Sequence, residues 1–183
     1  MVYALVLHLD AATDEAVRLV WDRLADEGIA KPPPEPHVPP HVTIWVSDDL
    51  ERKAAPPVID RFAERLQPLE VRFRSVGSFP ARWGPVFYAP VPTTQLLDLH
   101  RDAFTLAMDI GAYPQWHQRP AHWVPHLTAS LELEEGKVPE AVRICTEMEL
   151  PEKSQFNSLG LWRTLPNVEA IHRVRFEEPT RLL

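Results

Sequence analysis

Cysteine is nearly absent from this chain. Cys145 is the only one in 183 residues, so no internal disulfide forms and no thiolate metal cluster can be built within one copy. Its flanks, EAVRICTEM, read as helix core, where a free cysteine behaves as a small buried hydrophobe rather than a nucleophile. Long apolar runs are missing too. None approaches the roughly 20 residues of a membrane helix. The amino-terminal MVYALVLHLD lacks the basic flank and small-residue cleavage site of a signal peptide, so a cytoplasmic protein with no membrane partner is expected. A basic excess is the third absence. The formal charge of −7 argues against coating long nucleic acid, a mode that needs broad basic surfaces, and leaves a small phosphate substrate or an RNA end compatible. Hydrophobic residues at 45% and charged residues at 25% describe an ordinary globular chain. One domain over residues 1–183 is expected, with a monomer as the default.

What the chain does contain is a repeated tetrapeptide. PPHVTIWVS at 39–47 is answered by VPHLTAS at 124–130. About 0.4 His-x-Thr triplets are expected by chance for this composition, but only about 0.01 tetrapeptides with proline before and an aliphatic residue after the histidine. Two such matches indicate an internal duplication.

The surrounding pattern is consistent with that. Residues 2–9 form an apolar run of strand length. From Asp14 to Glu27, Val17, Val20, Trp21 and Leu24 recur at helical spacing, and Gly28 stands where a helix stops. The proline-rich 31–40 segment is a stiff loop into a strand at 41–47. Ile59, Phe62, Ala63 and Leu66 mark a second helix, and 69–76 alternates as a strand. A loop around Arg82 to Pro85, a strand at 86–91 and a helix at 94–110 follow. The second motif strand comes next, then a helix at 139–148 that opens on proline, and a closing hairpin around Pro166-Asn167. Several strand connections are too short for parallel crossovers, which favours α+β with antiparallel sheets.

In a strand, side chains two apart share a face, so His41 and Thr43 project together, as do His126 and Thr128. Imidazole is matched to proton transfer near neutral pH, and a neutral and a protonated histidine make a base and an acid without a metal. Phosphodiester cleavage needs that pair, with the threonine hydroxyls donating to the non-bridging phosphate oxygens.

Paired motifs of the form His-x-Thr-aliphatic, PHVTI at 40–44 and PHLTA at 125–129, about 85 residues apart, together with the VFYAPV strand and the helix after it, resemble the 2H phosphoesterase superfamily, which includes bacterial 2′-5′ RNA ligase-like proteins and cyclic phosphodiesterases. The resemblance covers essentially the whole chain. It implies an α+β fold of two pseudo-symmetric lobes, each an antiparallel sheet with helices outside, flanking a central cleft. The first lobe would centre on 39–47 and the second on 124–132. It implies His41 and His126 as the catalytic pair, Thr43 and Thr128 as phosphate-binding residues, a nucleotide or RNA terminus as substrate, and neither cofactor nor metal. The expected activity is hydrolysis of a 2′,3′-cyclic phosphate or a 2′-5′ phosphodiester. The alternatives are a catalytically idle module that binds nucleotide or RNA ends, and 2′-5′ ligation of RNA. Ala129 departs from the family pattern, which has a larger aliphatic residue there.

Further substrate contacts are expected from Arg119 and Trp116, in a loop just ahead of the second motif where a ring could stack on a base, and from Arg82 and Tyr88. Arg72, Arg74 and Arg163 are weaker candidates for a second phosphate. Trp45 and Trp123 are expected to oppose the motif face and pack in the core, and His8 is read as structural. A zinc site at His117, His122 and His126 is disfavoured, because Pro125 breaks the helix that would gather them and no acidic or thiol ligand stands nearby.

Overall fold

A computed structural model describes residues 1–31, 37–80, 84–130 and 133–177. Among these, Val2–Leu9 (β1), His41–Ser47 (β2), Leu69–Val71 (β3), Phe73–Ser78 (β4), Val86–Pro90 (β5), Leu127–Ser130 (β6), Ser154–Leu165 (β7) and Glu169–Arg175 (β8) form one antiparallel sheet. Its order is β3-β7-β1-β2-β6-β5-β4, with β8 also paired to β7. The middle of that order is its thinnest point. β2 and β6 meet through a single residue pair, Val42 opposite Leu127, so the sheet consists of two lobes sewn together at the two motifs.

Among the described residues four α-helices cover one face: Ala11–Asp26 (α1), Ala55–Ala63 (α2), Thr94–Asp109 (α3) and Val138–Glu147 (α4). α1 starts three residues earlier than the apolar spacing indicates, because the Asp10 carboxylate accepts from the Thr13 amide at 3.0 Å and caps the first turn. The helices are exchanged between lobes. α1 follows β1 yet packs with α4 against β6, while α3 follows β5 yet packs with α2 near β2.

All four helices contribute to one buried cluster beneath the sheet, including Val17, Val20, Ile59, Phe62, Leu96, Ala103 and Ile144 against Leu5, Leu7, Val42, Ile44 and Leu127. The opposite face carries only the small cluster Ala4, Val6 and Trp162. The motif histidines and threonines project on that side, beside a floor in which Val6, His8 and Ser158 are buried. The segment read as one strand at 69–76 is two strands, because the chain changes lobes at Arg72: β3 pairs with β7 and β4 with β5. No helix among the described residues is long and apolar enough to cross a membrane.

Candidate active site

The repeated proline has a local purpose. A residue before proline is confined to extended backbone, and in both motifs the carbonyl of that residue is turned to the imidazole two positions on. His41 Nδ1 lies 2.8 Å from the Pro39 carbonyl oxygen, and His126 Nδ1 lies 2.8 Å from the Val124 oxygen. A carbonyl only accepts, so each Nδ1 carries the proton and donates it. Each ring is thereby left with Nε2 as its unprotonated nitrogen in the neutral form.

The seam sets the two motifs against each other. With Val42 opposite Leu127 in an antiparallel pair, continuing the register places His41 across from Thr128 and Thr43 across from His126. The pseudo-twofold axis runs between Val42 and Leu127, and the two histidines are diagonal neighbours, roughly 7–8 Å apart at the backbone. Neither threonine hydroxyl hydrogen-bonds to another protein group among the described residues, which leaves both available to a ligand.

A second symmetric device lies directly after each threonine. Val6 faces Thr43 and Leu5 faces Trp45, so Ile44 is an extra residue in β2; Phe87 faces Thr128 and Val86 faces Ser130, so Ala129 is an extra residue in β6. Both motifs end in a β-bulge, which unpairs a backbone group and re-aims the side chains that follow. The threonine carbonyl beside each bulge is taken up by an indole. Trp123 Nε1 donates to the Thr43 oxygen at 3.0 Å, and Trp21 Nε1 donates to the Thr128 oxygen at 3.3 Å.

The bulge also explains Trp45. Strict alternation from His41 puts residues 43 and 45 on the cleft face, but the extra residue turns Trp45 into the core, where its Nε1 donates to the Ala103 carbonyl at 3.1 Å. Core packing is therefore right for Trp45, and the bulge is what puts it there. Trp123 stacks on His100 at 3.9 Å between ring centroids. Trp123→Phe keeps the apolar ring and strands the Thr43 carbonyl, so a loss of about 1–3 kcal/mol in urea unfolding is expected, against little change if that carbonyl finds another donor.

Burial holds the pKa of His41 below the ordinary imidazole value; the Pro39 carbonyl partly offsets this, and the charge of His126 adds to the lowering. Burial likewise lowers His126, opposed by the Val124 carbonyl and reinforced by His117. Because the two rings sense one another, a proton on one disfavours a proton on the other. His126 is met edge-on by Phe79 at 4.9 Å and at a tilt by Phe87 at 5.5 Å between ring centroids.

The remaining expected contacts divide. Trp116 is 66% exposed, edge-on to His117 and His122 at 5.8 and 5.4 Å, in the short 3-10 turn of residues 116–118 whose His117 is close enough to affect His126. Arg119 lines a groove of about 550 Å³ with Phe104, Met108, Tyr113 and His122, and none of the four motif side chains borders it. Arg82 lies outside the described residues.

Tyr88 is a correction. It is 4% exposed, and its one hydroxyl proton is shared between the carbonyls of Cys145 and Met148, each 3.0 Å away, so it ties β5 to α4 rather than facing a substrate. Arg72, Arg74 and Arg163 sit in ion pairs with Glu70, Glu152 and Glu169. Among the described residues no group of three or more His, Cys, Asp or Glu side chains is arranged to hold a metal ion.

His8, read from the sequence as structural, is buried and hydrogen-bonded at both ring nitrogens. It stands directly across from His41 on β1, 1% exposed, with its pKa lowered to about 3 by burial, Arg173 and His41. Trp162 Nε1 donates to its Nε2 at 3.3 Å, which leaves Nδ1 protonated toward Ser158 Oγ at 3.4 Å.

The family profile described as 2′-5′ RNA ligase superfamily matches residues 12–167. Among solved structures, the Thermus thermophilus protein TT0787 superposes with a TM-score of 0.64 at 17% identity, covering 97% of this chain and 99% of that one. E. coli LigT complexed with 3′-AMP superposes with a TM-score of 0.60 at 13% identity, covering 96% and 98%. At those identities the likeness speaks to the fold. No curated protein sequence matches.

Proposed function

We propose, from the premise that the chain belongs to the 2′-5′ RNA ligase superfamily, that it is a metal-independent phosphoesterase acting on a 2′,3′-cyclic phosphate or a 2′-5′ phosphodiester at a nucleotide or RNA end. The observation that carries the reading is the matched tautomer. Both motif histidines donate Nδ1–H to a fixed backbone carbonyl and keep Nε2 for chemistry, each across the seam from the other motif's unengaged threonine hydroxyl. One neutral imidazole removes a proton from water as it attacks phosphorus. The other, protonated, delivers its proton to the departing ribose oxygen. Thr43 and Thr128 donate to the non-bridging oxygens on which negative charge accumulates, and Trp116 offers its exposed ring to a base. The 3′-AMP of the E. coli LigT complex supports a nucleotide phosphate as the ligand of this fold.

The test is turnover of 2′,3′-cyclic nucleotides and a 2′-5′-linked dinucleotide in the presence of chelator. Full activity is expected. Activity that disappears in chelator and returns with zinc would replace the two-histidine mechanism with a metal-dependent one.

The pH profile follows from the two lowered values. The base must be neutral and the acid protonated, so kcat/KM rises through the base's pKa and falls through the acid's. Both lie below the ordinary 6.5, which predicts a bell whose maximum falls on the acid side of pH 6.5. A maximum above pH 7 would contradict the pairing.

A further inference from the structure

The floor of the cleft continues past His41. The registers of β2, β1, β7 and β8 align two rows of residues across four strands on the cleft face. One runs His41, His8, Ser158, Arg175, and the other Thr43, Val6, Gly160, Arg173. Three strand spacings put Arg175 roughly 14 Å from His41 at the backbone.

Arg173 leans toward the first row, donating from Nε and Nη2 to Ser158 Oγ at 3.3 and 3.2 Å. With Asn157, Leu9 and the first turns of α1 (Ala11, Asp14, Glu15 and Arg18) the two arginines border a hollow of about 340 Å³, which none of the four motif side chains lines. Asp14 is held by Arg18 at 2.6 Å. Neither Arg173 nor Arg175 has an ion-pair partner within 4.0 Å among the described residues; burial first and then the charge of Arg175 lower the pKa of Arg173, and Asp14 opposes them. In a chain of net charge −7, two exposed guanidiniums on one strand face, in the same strand rows as His41 and Thr43, attract an anion.

We propose that Arg173 and Arg175 are a second phosphate subsite, which receives an upstream backbone phosphate of an oligonucleotide whose terminal phosphate lies between His41 and His126. The proposal rests on the phosphoesterase reading and specifies its substrate class: a strand end in preference to a mononucleotide.

The experiment compares kcat/KM for a trinucleotide ending in a 2′,3′-cyclic phosphate with that for the 2′,3′-cyclic mononucleotide. The wild type is expected to favour the trinucleotide by about tenfold or more, with a steeper salt dependence. Arg173→Gln/Arg175→Gln should bring the ratio toward one, while Arg173→Lys/Arg175→Lys, which keeps both charges, should retain most of it. A wild-type ratio near one, or a ratio that the glutamine variant leaves unchanged, overturns the subsite. A parallel measurement needs no turnover: the affinities of a 3′-phosphorylated trinucleotide and a 3′-mononucleotide for the His41→Ala/His126→Ala protein. A length preference that is present there and lost on adding the glutamine changes supports the subsite even where neither cyclic substrate is cleaved, a result that would sink the phosphoesterase reading alone. Cleavage of the mononucleotide with no length preference in either assay sinks the subsite alone.

Discussion

His41→Ala and His126→Ala each lower turnover by a factor of 10² to about 10⁴, the range expected for a group that transfers a proton in the transition state. Each histidine makes one backbone hydrogen bond through Nδ1, and the core on the far side of its strand is built by Val42 and Leu127. Truncating either ring therefore leaves the fold standing, and circular dichroism with a urea melt should show stability close to wild type. The two losses should not add, because a base without its acid partner retains little of its effect. His→Gln separates proton transfer from hydrogen bonding: glutamine still offers a donor and an acceptor but no titratable proton, so it should be as inactive as alanine. A single variant that keeps more than a tenth of the wild-type rate would mean that its histidine is not a proton carrier. Nucleotide affinity preserved alongside a wild type with no turnover would instead favour an idle binding module.

The legible part of this protein is what short-range chemistry dictates. The His-x-Thr pairs follow from strand alternation over three residues, and helix α3 from its apolar stripe with Thr93 capping its start. The illegible part begins where the strands depart from regular geometry. The bulges at Ile44 and Ala129 have no local signature, since both residues are acceptable in unbroken strands, and the bulge sends Trp45 opposite to its parity. The indole partners Trp21 and Trp123 reach the threonine carbonyls 107 and 80 residues away in sequence, a pairing that only the exchange of helices between lobes creates. Tyr88 is ambiguous in sequence for a related reason. An aromatic with a hydroxyl beside a motif strand is equally suited to a cleft or to tying a sheet to a helix, and the location of α4 decides it. His8 becomes a neighbour of His41 only once β1 pairs with β2, and the two arginines of β8 join those rows only once β7 links β8 to β1. One cue is present: IHRVR at 171–175 sets two arginines two apart on one strand face with no acidic residue between them.

Gly160→Ala should be the most damaging single-methyl change on the cleft floor. Gly160 is not one of the glycines with positive φ, so alanine suits its backbone, and in a strand the exchange would by itself be stabilising by about 0.5–1 kcal/mol. The obstacle is steric. A Cβ there would overlap His8 Cε1 and lie 2.8 Å from Trp162 Nε1. Neither group has room to yield, because the His8 ring is held from both sides, by Trp162 at Nε2 and Ser158 at Nδ1, and is buried against its neighbours. Moving it breaks those hydrogen bonds inside a dry site, which adds to the overpacking term, so a net loss of about 2–4 kcal/mol is expected, or roughly 5–15 °C in Tm for a domain of this size. Because His8 faces His41 across the strand pair, turnover should fall as well. The double variant Gly160→Ala/His8→Ala identifies the cause. Removing the ring makes space for the methyl group, so the paired change should cost clearly less than the sum of the two single losses. Additive losses would mean that the two residues do not collide, and would place the sensitivity of Gly160 in the backbone instead.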